Sequence, residues 1–187
     1  MKKIASIFLC SVLISVSAQA QWKYPEVDKS PLDESYYPGN FPLLKIQGKA
    51  TEPLVARVIY SRPQKNNRVI FGELIEYNKM WRLGANEATE IEFFQNVKIG
   101  GNTVKKGRYS LFCIPTIDKW TLIINKDTDV WGAFVYDSKK DVLRADVPVQ
   151  KTAEAVEYFS MGFEKTKNGC ALNIAWDDIT TALPISF

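Results

Sequence analysis

Hydrophobic and polar positions alternate along this chain in short runs, and they rarely recur at the three-to-four spacing of a long helix. Leu54, Ala56, Val58 and Tyr60 would share one face of a strand, with Val55, Arg57 and Ile59 on the other. Thr89, Ile91 and Phe93 alternate against Glu90 and Glu92, as in a half-buried strand. Val97–Ile99 and Thr103–Val104 flank Gly100-Gly101-Asn102, a turn that tolerates positive φ, and together predict a hairpin. Residues 109–114 (stopped by Pro115), 119–125 and 131–136 read as further strands, and residues 142–149 alternate. Residues 159–164 and 171–176 flank the turn Thr166-Lys167-Asn168-Gly169 as a last hairpin, before residues 179–187 end the chain. Three stretches are less regular. Residues 43–48 alternate weakly, residues 73–83 could hold a helical turn, and residues 151–158 have the propensity of a helix or a strand. Many short strands without a long helix predict an all-β fold. The expected form is an antiparallel, jelly-roll-like β-sandwich with at most one or two short helices.

The first residues follow a different logic. Lys2 and Lys3 precede an apolar run from Ile4 to Val16, and Ala18-Gln19-Ala20 has the small-x-small form of a cleavage site. That order predicts a secretory signal peptide over residues 1–20, too short in its apolar part to span a bilayer, which takes ~20 residues. Lipidation at Cys10 is disfavoured because Leu9 precedes it and more apolar sequence follows. Residues 21–42 carry Pro25, Pro31, Pro38 and Pro42, which oppose a regular helix and a central strand. They read as an extended Pro/Tyr-rich arm that packs Tyr36, Tyr37 and Phe41 on a single domain over residues 43–187. The expected compartment is periplasmic or extracellular, and no second apolar stretch suggests a membrane segment in the mature chain.

The formal net charge is +3 for the whole sequence. Removing Lys2 and Lys3 with the leader leaves a near-neutral domain, which argues against nucleic acid as a partner. The chain contains no histidine, so Ser-His-Asp and Cys-His catalysis and histidine-based zinc or haem sites are excluded within it. Cys113 and Cys170 fall in strand-like runs, and the sequence leaves open whether they are buried thiols or a disulfide. No cofactor motif is present.

The densest polar group lies between Tyr60 and Glu92. Arg62, Arg68 and Arg82 would supply charge, Trp81 a flat stacking face, and Asn86 and Glu87 oriented hydrogen bonds. Such a set would suit a small anionic or carbohydrate ligand. The competing reading is that Arg62 and Arg82 pair with Glu87 and Glu90 simply to fix loops. Glu87 or Glu90 could also serve as acid or base in a glycan hydrolase, which needs two carboxyl groups ~5–9.5 Å apart. Asn125, Asp127 and Asp129 alternate like the start of a calcium loop, but Val130 and Tyr136 stand where that loop needs Gly and Glu, so a polar turn is the better reading. Asp177-Asp178 likewise reads as a strand-end turn, not a metal site. Trp120, Trp131, Tyr136, Trp176 and Phe187 occupy strand-like positions and are expected in the core.

Several blocks carry a family likeness: Asp28-Lys29-Ser30-Pro31-Leu32-Asp33, Tyr60-Ser61-Arg62-Pro63, Lys106-Gly107-Arg108-Tyr109-Ser110-Leu111 and Trp131-Gly132-Ala133-Phe134. The most specific is Trp81-Arg82-Leu83-Gly84-Ala85-Asn86-Glu87-Ala88-Thr89. Together they resemble a secreted family of Bacteroidetes-type bacteria, domain of unknown function 2911. The resemblance implies a single secreted β domain without an established activity, and it carries no catalytic residue to transfer. Its recurring polar blocks fall on Arg62, Trp81, Arg82, Asn86 and Glu87, whereas Cys113 and Cys170 are not part of the pattern. The expected function is therefore a non-enzymatic binding or interaction module, with a hydrolase or a purely structural envelope module as alternatives.

Overall fold

The computed structural model describes residues 22–187; the leader read from residues 1–20, and Gln21, lie outside the described residues. The strands are β1 (Leu32–Tyr37), β2 (Ala56–Ser61), β3 (Glu90–Phe93), β4 (Val97–Ile99), β5 (Asn102–Val104), β6 (Gly107–Pro115), β7 (Lys119–Asn125), β8 (Asp141–Pro148), β9 (Gln150–Thr166) and β10 (Gly169–Ser186). They form a six-stranded sheet in the order β1-β2-β3-β6-β7-β8 and a four-stranded sheet in the order β5-β4-β10-β9. Every strand pair is antiparallel. The expected β-sandwich is what the chain forms.

Period-two alternation explains the layering. Val58 and Tyr60 of β2, Ile91 and Phe93 of β3, Leu111 and Cys113 of β6, and Trp120, Leu122 and Ile124 of β7 all turn inward. They meet Leu172, Ile174 and Trp176 of β10. At the centre Trp81 stacks on Trp176, with ring centroids 6.2 Å apart and planes at 21°, and Phe159 lies edge-on to both. Cys113 and Cys170 are free thiols buried in this core. The other face of the larger sheet has a smaller core of its own. There Phe112 and Ile123 are covered by Ala88 and by Val130, Ala133 and Tyr136 of the following loop.

Strand β10 bends at Asp177, where φ is 54°. Its second half then runs back along the first. The Thr180 hydroxyl donates to the Ile174 carbonyl at 3.3 Å, and a Cβ on Gly169 would lie 2.3 Å from the Ile185 carbonyl oxygen. Burial follows the fold-back: Cys170, Leu172, Ile174 and Trp176 are inward on the first half, and Ile179, Leu183 and Ile185 on the second. Gly169 itself has φ 147°, so both its conformation and its lack of a side chain are required there.

Four stretches depart from the sequence reading, and a fifth that it left open is settled. Within the arm, residues 32–37 form edge strand β1, a place that tolerates the surrounding prolines. Phe41–Ile46 is a short helix, α1, instead of an alternating strand; Pro42 stands in its first turn, where a missing N–H costs nothing. Residues 73–83 form turns and isolated bridges, not a helix, because Trp81 pairs its backbone with Cys113 in both directions, at 2.7 and 2.8 Å. Residues 131–136 do not form a strand. One bridge, between Glu87 and Trp131, is followed at once by a turn at Gly132, with φ 68°. Residues 151–158 belong to β9, where cross-strand pairing to β10 overrides helix propensity.

Candidate functional site

The side chains of the polar stretch from Arg62 to Glu87 go to separate partners. Arg62 sits at the seam between the sheets. Its guanidinium donates to Asp33 Oδ2 at 2.9 Å, to Ser160 Oγ at 3.0 Å and to the Phe159 carbonyl at 3.3 Å, with the Tyr158 ring 5.8 Å away. Arg68 donates to the Lys65 and Gln64 carbonyls of its own loop. Trp81 is only 5% exposed and donates its indole N–H to the Gly84 carbonyl at 3.1 Å, so it has no open face for a ligand. Asn86, at φ 56°, donates to Asp28 Oδ1 at 2.9 Å and ties the N-terminal arm to the turn. Glu87 is exposed.

The expected pairings of the loop-fixing reading are also redistributed. Arg62 pairs with Asp33, and Glu90 faces Arg108 at 3.4 Å while accepting from the Asp129 N–H at 2.9 Å. Arg82 is in no ion pair among the described residues. Burial pushes its guanidinium below the ordinary pKa, and its Nε is buried without a hydrogen-bond partner. Of the polar turn residues, Asn125 accepts from the Asp127 N–H and donates to Asp141, while Asp127 pairs with Lys140 and Asp129 with Arg108. Asp177 and Asp178 pair with Lys65 and Lys151.

A different end of the sandwich holds an open groove of about 950 Å³. It lies where the tip of the β9–β10 hairpin, the β4–β5 hairpin and the last residues meet the end of β1. Phe187, 48% exposed, forms its apolar floor and packs on the buried Tyr37 ring, with centroids 5.7 Å apart. Lys98, Lys165 and Lys167 line it, against one carboxylate side chain, Glu52. Glu52 accepts from Lys165 Nζ at 2.7 Å and holds that ammonium above its ordinary pKa. Lys98 and Lys167 are in no ion pair among the described residues. Burial pushes the Tyr37 phenol upward, so it stays protonated at neutral pH. A second hollow of about 310 Å³ adjoins the groove and shares Lys98, Lys167 and Asn168 with it.

Local structure explains this placement. Alternation turns Val97 and Ile99 inward and Lys98 outward. The tight approach of Gly169 to the Ile185–Ser186 backbone presses the hairpin tip, with Lys167 and Asn168, against the rim. A volume near the upper end of the ~300–1,000 Å³ range of small-ligand sites, with an apolar floor and a few polar groups, is the form such sites take.

The family model described as a protein of unknown function, DUF2911, matches residues 44–185. The chain belongs to this family. No curated protein and no solved structure matches it. The matched span in this DUF2911 chain includes both the Arg62–Glu87 stretch and most of the groove, but not Tyr37, Ser186 or Phe187.

Sequence reasoning missed the groove because its residues come from six separated positions of the chain. The available signal was a pair of turns, each flanked by lysines, at 98–106 and 165–167. It also placed Trp131 and Phe187 in the core. Trp120 and Trp176 are there, but Trp131 is 59% exposed and Phe187 lines the groove.

Proposed function

We propose that this chain is an exported, non-catalytic binding module whose end groove takes a small anionic ligand, best matched by a carboxylated saccharide. The observation that carries the reading is the pair Lys98 and Lys167, in no ion pair among the described residues, beside the exposed Phe187 ring. Ammonium groups draw an anion and set its position, while the apolar floor accepts the C–H face of a sugar ring. The groove's single carboxylate side chain is engaged by Lys165, whereas paired-carboxylate glycoside chemistry uses two. Export is supported by the Lys2-Lys3 start, the apolar run and Ala18-Gln19-Ala20.

A thermal-shift screen of residues 21–187 against uronic-acid oligosaccharides, inorganic phosphate and neutral sugars tests this. A ligand specific to the native state raises stability by ~2.7 kcal/mol at a hundredfold excess over its dissociation constant. The expected result is a rise in Tm with uronic-acid oligosaccharides that disappears in the Lys98→Ala/Lys167→Ala double variant. An equal rise with neutral sugars, or one that survives the double substitution, contradicts the reading.

A further inference from the structure

We propose that the loop joining β7 to β8 is a second docking surface, separate from the groove, for the uncharged face of a polysaccharide. Its tip presents Trp131 at 59%, Phe134 at 83% and Val135 at 68% exposure. Exposed apolar side chains are common on mobile tails, but this loop is tied down at its base. Val130 accepts from the Ala88 N–H at 3.0 Å, and the Gly132 N–H donates to the Asn86 carbonyl at 2.9 Å. The Tyr136 hydroxyl reaches both Asp141 oxygens at 2.7 and 2.8 Å, and its ring meets Phe112 edge-on at 5.3 Å. The Phe134 ring lies over Gly132, where a Cβ would come within 2.6 Å of it. Aromatic groups already held in place lose little freedom on binding, which is what a recognition surface needs.

Charge and size narrow the occupant. The ionic groups bordering the loop pair with one another: Lys140 with Asp127, Arg144 with Asp141, and Arg108 with Asp129. Lys126, Lys139, Asp137 and Glu87 are in no ion pair among the described residues, two charges of each sign. This surface therefore offers little to an anionic bilayer or to nucleic acid. A whole aromatic side chain carries ~150–250 Å², so the exposed parts of Trp131 and Phe134 amount to roughly 200–350 Å². A stable protein interface takes about 800 Å² from each partner. Two rings of this area suit the C–H faces of a few neutral sugar units instead.

The test is retention of residues 21–187 on cellulose, chitin, β-glucan and starch. Parallel runs use phosphatidylcholine/phosphatidylglycerol vesicles and size-exclusion chromatography. The expected result is retention on at least one neutral polysaccharide, weakened about tenfold or more by Trp131→Ala/Phe134→Ala. That variant should keep its Tm, because both side chains are exposed. Lys98→Ala/Lys167→Ala should bind the polysaccharide as the parent does, which separates this surface from the groove. No retention on any of the four, or retention unchanged by the aromatic substitutions, overturns the proposal. So does binding to vesicles alone, or a dimer that the aromatic substitutions dissolve.

Discussion

The Arg62–Glu87 stretch and the end groove carry the same kinds of side chain and use them differently. Arg62 reaches three acceptors on two other strands, and Trp81 is enclosed by Phe71, Trp120, Phe159 and Trp176. In the groove, Lys98 and Lys167 are exposed beside the Phe187 ring. Polar density along a sequence therefore marks two unlike things. It can mark groups that fasten the fold, or groups left available to something outside it. Only partner accounting in three dimensions tells them apart.

Substitutions sharpen this contrast, beginning with the largest effect. Trp81→Ala should destabilise the domain by ~3–5 kcal/mol, as for a large buried aromatic. Chemical denaturation measures it, and a loss under ~1 kcal/mol would mean that Trp81 is not a core residue. Arg62→Ala should cost ~1.5–3 kcal/mol, because charged hydrogen bonds at the sheet seam are lost and Asp33 is left alone. An unchanged Tm would dissolve the distinction between the two regions from the fastening side. Arg82→Met runs the opposite way. Replacing a half-buried, unpaired guanidinium with an apolar chain of similar length should stabilise by about 1 kcal/mol. A clear loss in that variant would reveal a partner for Arg82. In the groove, Lys98→Ala and Lys167→Ala should each change stability by less than ~0.5 kcal/mol, the usual range at exposed sites.

The loop base gives a pH prediction with a fixed sign. Burial and the Asp141 carboxylate push the Tyr136 phenol from 10.0 to about 12. The folded state thus holds this proton more tightly than the unfolded chain does. Its contribution is intact below pH 10.0 and is lost as pH rises through about 12. Stability measured across that window should fall, and less steeply in Tyr136→Phe. An identical slope in the variant would remove Tyr136 from the account.

Much of the fold was legible because its strands announce themselves by alternation. Ala56/Val58/Tyr60 and Ile91/Phe93 turn inward as their spacing dictates, and residues 119–125 match β7 at both ends. The fold-back of β10 is visible in retrospect as a shift in the buried positions across Asp177-Asp178. Residues 131–136 misled because Trp, Phe, Val and Tyr have high strand propensity, while the turn at Gly132 is set by contacts with the Asn86–Ala88 turn. The candidate groove was less legible. Clustered arginines drew attention to one segment, whereas the groove is assembled from Tyr37, Glu52, Lys98, the 165–169 turn and Phe187, which no local pattern connects.

The most direct test is a backbone amide NMR titration of residues 21–187 with a uronic-acid oligosaccharide. The account predicts shifts confined to residues 96–98, 165–169 and 186–187 and to Tyr37, and their loss in Lys98→Ala/Lys167→Ala. Shifts centred on Arg62, Arg82 and Glu87 instead, or none at saturating ligand, would contradict it.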